Sequence, residues 1–300
     1  HPTMEKVVHA IYMSVIKKAP KIWDSIYDNA KFASRVSKIK DSIHRRNRHK
    51  IKKLVESENC KVVICSQAFP CGLVADYKKH TATDLKLIAV VTDFIPHSFW
   101  VYDEIDYYIV GSNEARDFFL KKGVAESKIK LLGIPIDPKF AIGHDKQKIA
   151  VELGLNPDKP IVLIMGGGRG LGPIKNLIKG LDILNFEIQI LAVAGINKKL
   201  LHFLKKARTK HKIHAFGYTD NIDKLMSVAD ILVTKPGGVT TAEALAKNLP
   251  MLIIKPLPGQ EQNNTNFLLR QGAVEKAESV EDAVGKLGLL LEDRERLQAI

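Results

Sequence analysis

Thr234-Lys235-Pro236-Gly237-Gly238-Val239-Thr240-Thr241-Ala242-Glu243 closes the apolar run Ile231–Thr234 and opens a stretch of helical pattern. A short apolar run stopped by Pro-Gly-Gly reads as a buried strand, and the Gly pair as a turn into a helix. Strand, tight turn and helix form the unit of a doubly wound sheet, whose ligands sit outside the carboxyl ends of the strands. The first amides of such a helix, at Gly238–Thr240, suit a diphosphate. Thr240 and Thr241 carry hydroxyl donors, and Glu243, about one turn in, suits a ribose diol. The structural alternative for Glu243 is a capping contact to its own backbone.

The same alternation runs back along the chain. Ile161–Met165, Glu187–Val193, Ile213–Ala215, Ile231–Thr234 and Leu252–Ile254 read as strands, with helices after Gly172, Asn197, Asp220, Gly238 and Gln260. A last helix starts near Ser279, with acids in its first turn. Before these, Lys61–Cys65, Lys86–Thr92, Ile105–Val110 and Lys130–Leu132 read as a first set of strands. The Pro-rich break Gly133–Pro138 divides the two sets, predicting domains over residues 1–136 and 137–300. The expected class is α/β, with two doubly wound Rossmann-like domains facing across a cleft.

Two further stretches carry chemistry. Gly166-Gly167-Gly168-Arg169-Gly170-Leu171-Gly172-Pro173 follows the strand Ile161–Met165. It is phosphate-friendly, yet it is neither a Walker loop, lacking Gly-Lys-Ser/Thr, nor a nicotinamide fingerprint, since the next strand ends Ala192-Val193-Ala194-Gly195 without an acid. Pro256-Leu257-Pro258-Gly259-Gln260-Glu261-Gln262-Asn263-Asn264-Thr265-Asn266 supplies amides and an acid of the kind that pair with sugar hydroxyls, the alternative being a polar loop and a solvated helix start.

Composition narrows the class. The 300 residues are 45% apolar and 26% charged, enough for two cores. No apolar run approaches the roughly 18 residues of a membrane span, and no signal-peptide pattern is visible. The chain opens His1-Pro2 with its first Met at position 4, which reads as a fragment or a processed form. Cys60, Cys65 and Cys71 fit no zinc spacing and read as small core residues in a reducing compartment. The net charge is +13, and residues 1–53 hold 14 Lys/Arg against 4 Asp/Glu. That opening shows an apolar stripe at helical spacing (Val7, Val8, Ile11, Tyr12, Val15, Ile16) followed by Trp23 and Tyr27. A basic amphipathic stretch of this kind suits an anionic membrane surface or, equally, packing on its own domain. It matches no nucleic-acid reader, so nucleic acid is not an expected partner.

Together these stretches resemble the two-domain glycosyltransferases of the GT-B fold, in particular the diacylglycerol glycosyltransferases. Met165–Ile174, Thr234–Glu243 and Pro258–Glu261 match that family's motifs, as do Val91-Thr92-Asp93-Phe94 with His97 and Trp100, and Gly133–Ile136. The resemblance spans nearly the whole chain and is more distant to MurG-type transferases. It implies that Gly167, Gly168, Gly170, Pro236, Gly237, Gly238, Val239 and Thr240 line the diphosphate side of a UDP-sugar site. By the same resemblance Glu243 binds ribose, Phe216, Gly217 and Tyr218 flank uracil, and Gly259, Gln260 and Glu261 read the sugar. The donor would be UDP-glucose or UDP-galactose, and the acceptor diacylglycerol at the cytoplasmic side of a membrane, bound peripherally. No cofactor or metal is expected, because a helix N-terminus stabilises the leaving UDP.

The family pattern also begins with a strand and a Gly-rich loop bearing a histidine base. Nothing before Lys61 reads as a buried strand and no Gly-Gly-His occurs. Asp93 and His97 remain as acid–base candidates, with His97 alternatively a group that positions the acceptor. Two alternatives follow: a MurG-like N-acetylglucosamine transferase, and a UDP-sugar-binding protein without transfer.

Overall fold

The computed structural model describes residues 30–256 and 259–300, with side chains from His44 onward. The stripe from Val7 to Ile16, with Trp23 and Tyr27, lies outside the described residues. The chain divides into two compact units between Pro135 and Ile136, and residues 259–263 join the first unit rather than the second.

The first unit opens with α1 (Ala30–Ser57), which packs on α2 (Ala68–Lys79). Four parallel strands follow in simple order: β1 (Val62–Cys65), β2 (Lys86–Val90), β3 (Tyr107–Val110) and β4 (Ile129–Leu131). α3 (Asn113–Lys121) joins β3 to β4 and is capped by Ser112, whose hydroxyl accepts from the Ala115 N–H at 2.9 Å. Leu87, Ala89, Tyr108 and Val110 point to one side of the sheet and are fully buried with Cys71, Ala75 and Phe119. β1 is an edge strand, and on the other face its Val62 and Ile64 are 50% and 65% exposed. All three cysteines are free thiols. Cys65 and Cys71 are buried and hydrogen-bonded to each other, which raises the Cys71 thiol and lowers that of Cys65.

The second unit holds six parallel strands in the order β10-β9-β8-β5-β6-β7. They are β5 (Ile161–Met165), β6 (Gln189–Val193), β7 (Lys212–Phe216), β8 (Ile231–Thr234), β9 (Met251–Ile254) and β10 (Glu275–Ala277). The order reverses between β5 and β8, the switch point at which doubly wound sheets open a crevice. The helices are α4 (Lys146–Glu152), α5 (Ile174–Gly180), α6 (Lys198–Lys206), α7 (Ile222–Val228), α8 (Gly238–Ala246), α9 (Gln260–Arg270, in this unit from Asn264), α10 (Val280–Glu292) and α11 (Arg294–Gln298). β5, β6, β8 and β9 are buried along their whole length, as strands covered on both faces must be. One face packs on α5, α6 and α10 through Ile164, Ile190, Val233, Leu177, Leu204 and Leu287. Both sheets and their wrapping helices give the α/β class expected from the sequence.

Two elements go beyond the sequence reading. The three-residue β10 carries Glu-Lys-Ala, with no apolar pattern to announce it, and exists by pairing with Leu252–Ile254. α2 forms despite Pro70 and Gly72. Pro70 lies in the first turn, where its missing N–H costs nothing. Gly72 is required by packing, since a Cβ there would stand 2.2 Å from the Tyr102 hydroxyl.

Candidate active site

β5 and β8 pair directly at the switch point, with Met165 opposite Thr234. Thr234 is buried, and its hydroxyl donates to the Met165 carbonyl at 2.9 Å, locking the two strand ends together. The loops leaving these ends carry the two Gly-rich stretches. Gly237 precedes α8 in extended conformation, and its N–H is taken by the Lys235 carbonyl at 2.9 Å. The next amides, at Gly238, Val239 and Thr240, open a nine-residue helix and have no acceptor within it. Their position at the strand end and the helix dipole make this an anion-binding edge.

Thr241 does not extend that edge. Its side chain is fully buried and its hydroxyl donates to the carbonyls of Gly237 and Gly238, at 3.0 and 3.1 Å. It shapes the first turn, whereas Thr240 next to it is half-buried. Asn264, read from the sequence as one of several sugar-facing amides, is also structural. It is buried and donates to the Pro236 carbonyl at 3.2 Å, fixing the turn into α8 from behind.

Glu243 lies half-buried on α8. Burial pushes its carboxyl up to about 7, with Lys139 pulling it down and Asp137 pushing it up. Lys139 belongs to the short 3-10 turn Pro138–Ala141, which Asp137 caps by accepting from the Lys139 N–H at 3.0 Å. Lys139 Nζ in turn donates to the Asp220 carbonyl at 2.9 Å, in the loop that follows Phe216, Gly217 and Tyr218. Glu243 and the Phe216–Tyr218 loop are therefore tied to one anchor. An acid poised near neutrality by burial is a common mark of a functional site.

The loop Gly166–Gly172 is held by backbone contact. A Cβ at Gly170 would stand 2.3 Å from the Ala194 carbonyl oxygen, and one at Gly195 2.2 Å from that of Gly168. Both residues have left-handed φ, +57° and +55°. These glycines serve the close packing of the loops after β5 and β6, while Gly167 and Gly168 have open space above them. The second unit thus gathers Gly167, Gly168, Gly170, Phe216, Gly217, Tyr218, Pro236–Thr240 and Glu243 at the carboxyl ends of adjacent strands.

Gly259, Gln260 and Glu261 fall with the first unit. Gln260 gives its side-chain N–H to the Ile95 carbonyl, and its Oε1 is buried and unpaired. Ile95 belongs to the loop after β2 that carries Asp93 and His97. That loop is pinned again at Phe94, whose carbonyl accepts from the Ser112 hydroxyl at 2.5 Å, and at Trp100, whose carbonyl accepts from the Tyr108 hydroxyl at 3.2 Å. Burial pushes the His97 imidazole down to about 4, so the ring is neutral at physiological pH. A neutral imidazole carries one donor and one acceptor nitrogen, which suits holding a hydroxyl by hydrogen bonds.

A parallel six-stranded sheet with an anion-binding helix edge at its switch point, and a separate four-stranded parallel unit, are the parts of the GT-B fold. Comparison with known proteins agrees. Residues 145–300 match the family model described as glycosyl transferases group 1, and residues 1–136 match that described as monogalactosyldiacylglycerol (MGDG) synthase. The processive diacylglycerol beta-glucosyltransferase of Bacillus pumilus (strain SAFR-032) is 32% identical over 310 residues, covering 100% of this chain and 78% of its own. The Bacillus subtilis (strain 168) enzyme of the same name is 30% identical over 307 residues, covering 99% of this chain and 78% of its own. Among solved structures, Staphylococcus aureus MnaA with UDP gives a TM-score of 0.63 at 16% identity, covering 87% of this chain and 74% of that one. Acinetobacter baumannii MurG gives 0.58 at 14% identity, covering 84% and 71%. These last two show the fold. The chain belongs to the diacylglycerol glycosyltransferase family, whose members make glycolipids.

Proposed function

We propose that this protein transfers glucose or galactose from a UDP-sugar to the free hydroxyl of diacylglycerol, with inversion, at a membrane surface. The observation that carries the donor assignment is the pairing of open helix amides at Gly238–Thr240 with the buried, near-neutral acid Glu243 at the switch point. The amides take the diphosphate and Glu243 takes the ribose diol. Tyr218 and Phe216 flank the base, and the Gly167–Gly170 loop and Pro236 shape the phosphate side. The unpaired Oε1 of Gln260 accepts from a sugar hydroxyl, with Glu261 beside it.

In the reaction the acceptor oxygen attacks the anomeric carbon on the face opposite UDP. The new C–O bond forms as the bond to the β-phosphate oxygen breaks, and that oxygen keeps the electron pair. Asp93 takes the hydroxyl proton while His97, neutral, orients the acceptor. The developing diphosphate charge falls on the helix amides, which do the work a metal does in other transferases, so no metal or cofactor is required. The relatives named as diacylglycerol glucosyltransferases support the acceptor class, and the basic amino-terminal region supports peripheral attachment to anionic lipid at the cytoplasmic face. No helix among the described residues is long and apolar enough to cross a membrane.

Incubating the protein with diacylglycerol and, in turn, UDP-glucose, UDP-galactose and UDP-N-acetylglucosamine tests this reading. Acceptor-dependent UDP release is expected from one of the first two. Release from UDP-N-acetylglucosamine alone would move the protein to the MurG-like branch, and binding of UDP with no release from any donor would make it a binding protein.

A further inference from the structure

The excess positive charge has a second centre besides the amino-terminal region. Residues 166–212 carry ten Lys/Arg against two Asp/Glu, a net +8 within a chain of +13. The structure gathers most of it on one face. α5 and α6 lie on the same side of the sheet, burying Ile174, Leu177, Ile178, Leu200 and Leu204 in one core. Six of their eight exposed positions are lysine: Lys175 and Lys179 on α5, and Lys198, Lys199, Lys205 and Lys206 on α6. Among the described residues none of these six makes an ion pair.

Apolar side chains stand at the amino-terminal ends of these helices. Leu171 and Ile196 project from the loops after β5 and β6, 38% and 64% exposed. The two loops are one rigid piece, since the Ile196 N–H donates to the Gly168 carbonyl at 2.9 Å and the Asn197 side chain caps α6 by accepting from the Leu200 N–H. An exposed aliphatic side chain at the edge of a face of exposed lysines, of which Lys175 alone has a partner among the described residues, the Phe203 ring at 5.2 Å, is the pattern of an interfacial anchor. The lysine stems lie along the headgroups with their ammonium ends on lipid phosphates, and the aliphatic side chain enters the acyl boundary. A nucleic-acid surface would instead want exposed aromatic platforms beside the charge; Phe203 is half-buried beneath Lys175, and Leu171 and Ile196 offer no stacking face.

We propose that the lysine face of α5 and α6, with Ile196 at its edge, forms a docking surface for an anionic lipid bilayer, giving the second unit its own membrane contact. This rests on the reading of the protein as an enzyme of lipid surfaces. It adds that attachment does not depend on the amino-terminal region alone.

The test is sedimentation of the full chain with vesicles of phosphatidylcholine, with and without a large share of phosphatidylglycerol. The wild type is expected to bind the anionic vesicles, and less so as salt rises. K198Q/K199Q should weaken binding by about five-fold for each lysine removed. I196S should remove binding that survives at high salt. UDP binding, measured in parallel, reports folding of each variant, and K205Q/K206Q stands in if the first pair fails to fold. If the folded lysine and Ile196 variants bind as the wild type does, this surface is overturned while the lipid-surface reading stands. If the wild type binds neither vesicle, both fall. Binding of RNA but not of vesicles, with the same lysine dependence, also overturns the proposal.

Discussion

Glu243 sits half-buried between the Asp137–Lys139 turn and its own helix, where the other titratable group is Lys247 one turn on. Its carboxyl at about 7 stands well above the roughly 4.3 of an unfolded glutamate. The proton therefore binds the folded state more tightly. The stability it contributes is present in acid and is lost as pH rises from that unfolded value towards 7. Donor binding runs the other way, because a ribose diol donates to the ionised form. Calorimetric titration with UDP-glucose should show binding about ten-fold weaker at pH 6 than at pH 8, and E243Q should flatten that dependence. Lys139 opposes the raised value, so K139M should move the midpoint up and K139R restore it. A pH-independent affinity in the wild type would remove Glu243 from the ribose site. At this scale the sequence is only partly legible. Glu243 is visible by its place one turn after Gly-Gly. Thr241 and Asn264 have the same polar character, yet their hydrogen bonds are spent on Gly237, Gly238 and Pro236. Lys139 is invisible, because its importance arises from a turn distant in sequence from both Glu243 and Asp220.

Elements were legible where burial writes a run of apolar residues. Ile161–Met165 and Ile231–Thr234 are strands over the same residues in sequence and structure, because both lie central in a sheet covered on both faces. Edge elements were not: β10 has no pattern, and α2 hides a Gly that Tyr102 demands. The Gly-rich loop was read as a phosphate loop, and its packing role could not be seen. That role makes a prediction at this scale. G195A forces a Cβ to within 2.2 Å of the Gly168 carbonyl and onto a left-handed backbone. It should cost roughly 2–4 kcal/mol in denaturant unfolding, adding left-handed strain to overpacking. G168A, with open space around its Cβ, should stay within about 0.5 kcal/mol of the wild type. Equal losses for the two would contradict the packing account.

Across the molecule, two parallel sheets of different order and two separate cores give each unit its own stability, and the chain between them passes once at Pro135–Ile136 and again around residues 259–263. The alternation of strands and helices announced both units. The return of 259–263 to the first unit was not legible, since nothing in a loop of amides says which core it joins. Charge was legible in total but not in place: the amino-terminal excess stands out as a run, whereas the second basic face forms only when α5 and α6 are laid side by side. The central claim is hexosyl transfer from a UDP-sugar to diacylglycerol with inversion, and the most direct measurement is the product itself. Purified protein incubated with α-linked UDP-glucose or UDP-galactose and diacylglycerol vesicles should yield a hexosyl-diacylglycerol by mass spectrometry, with a β-anomeric proton coupling by NMR. An α-linked product, or UDP formed with only free hexose and no glycolipid, would contradict it.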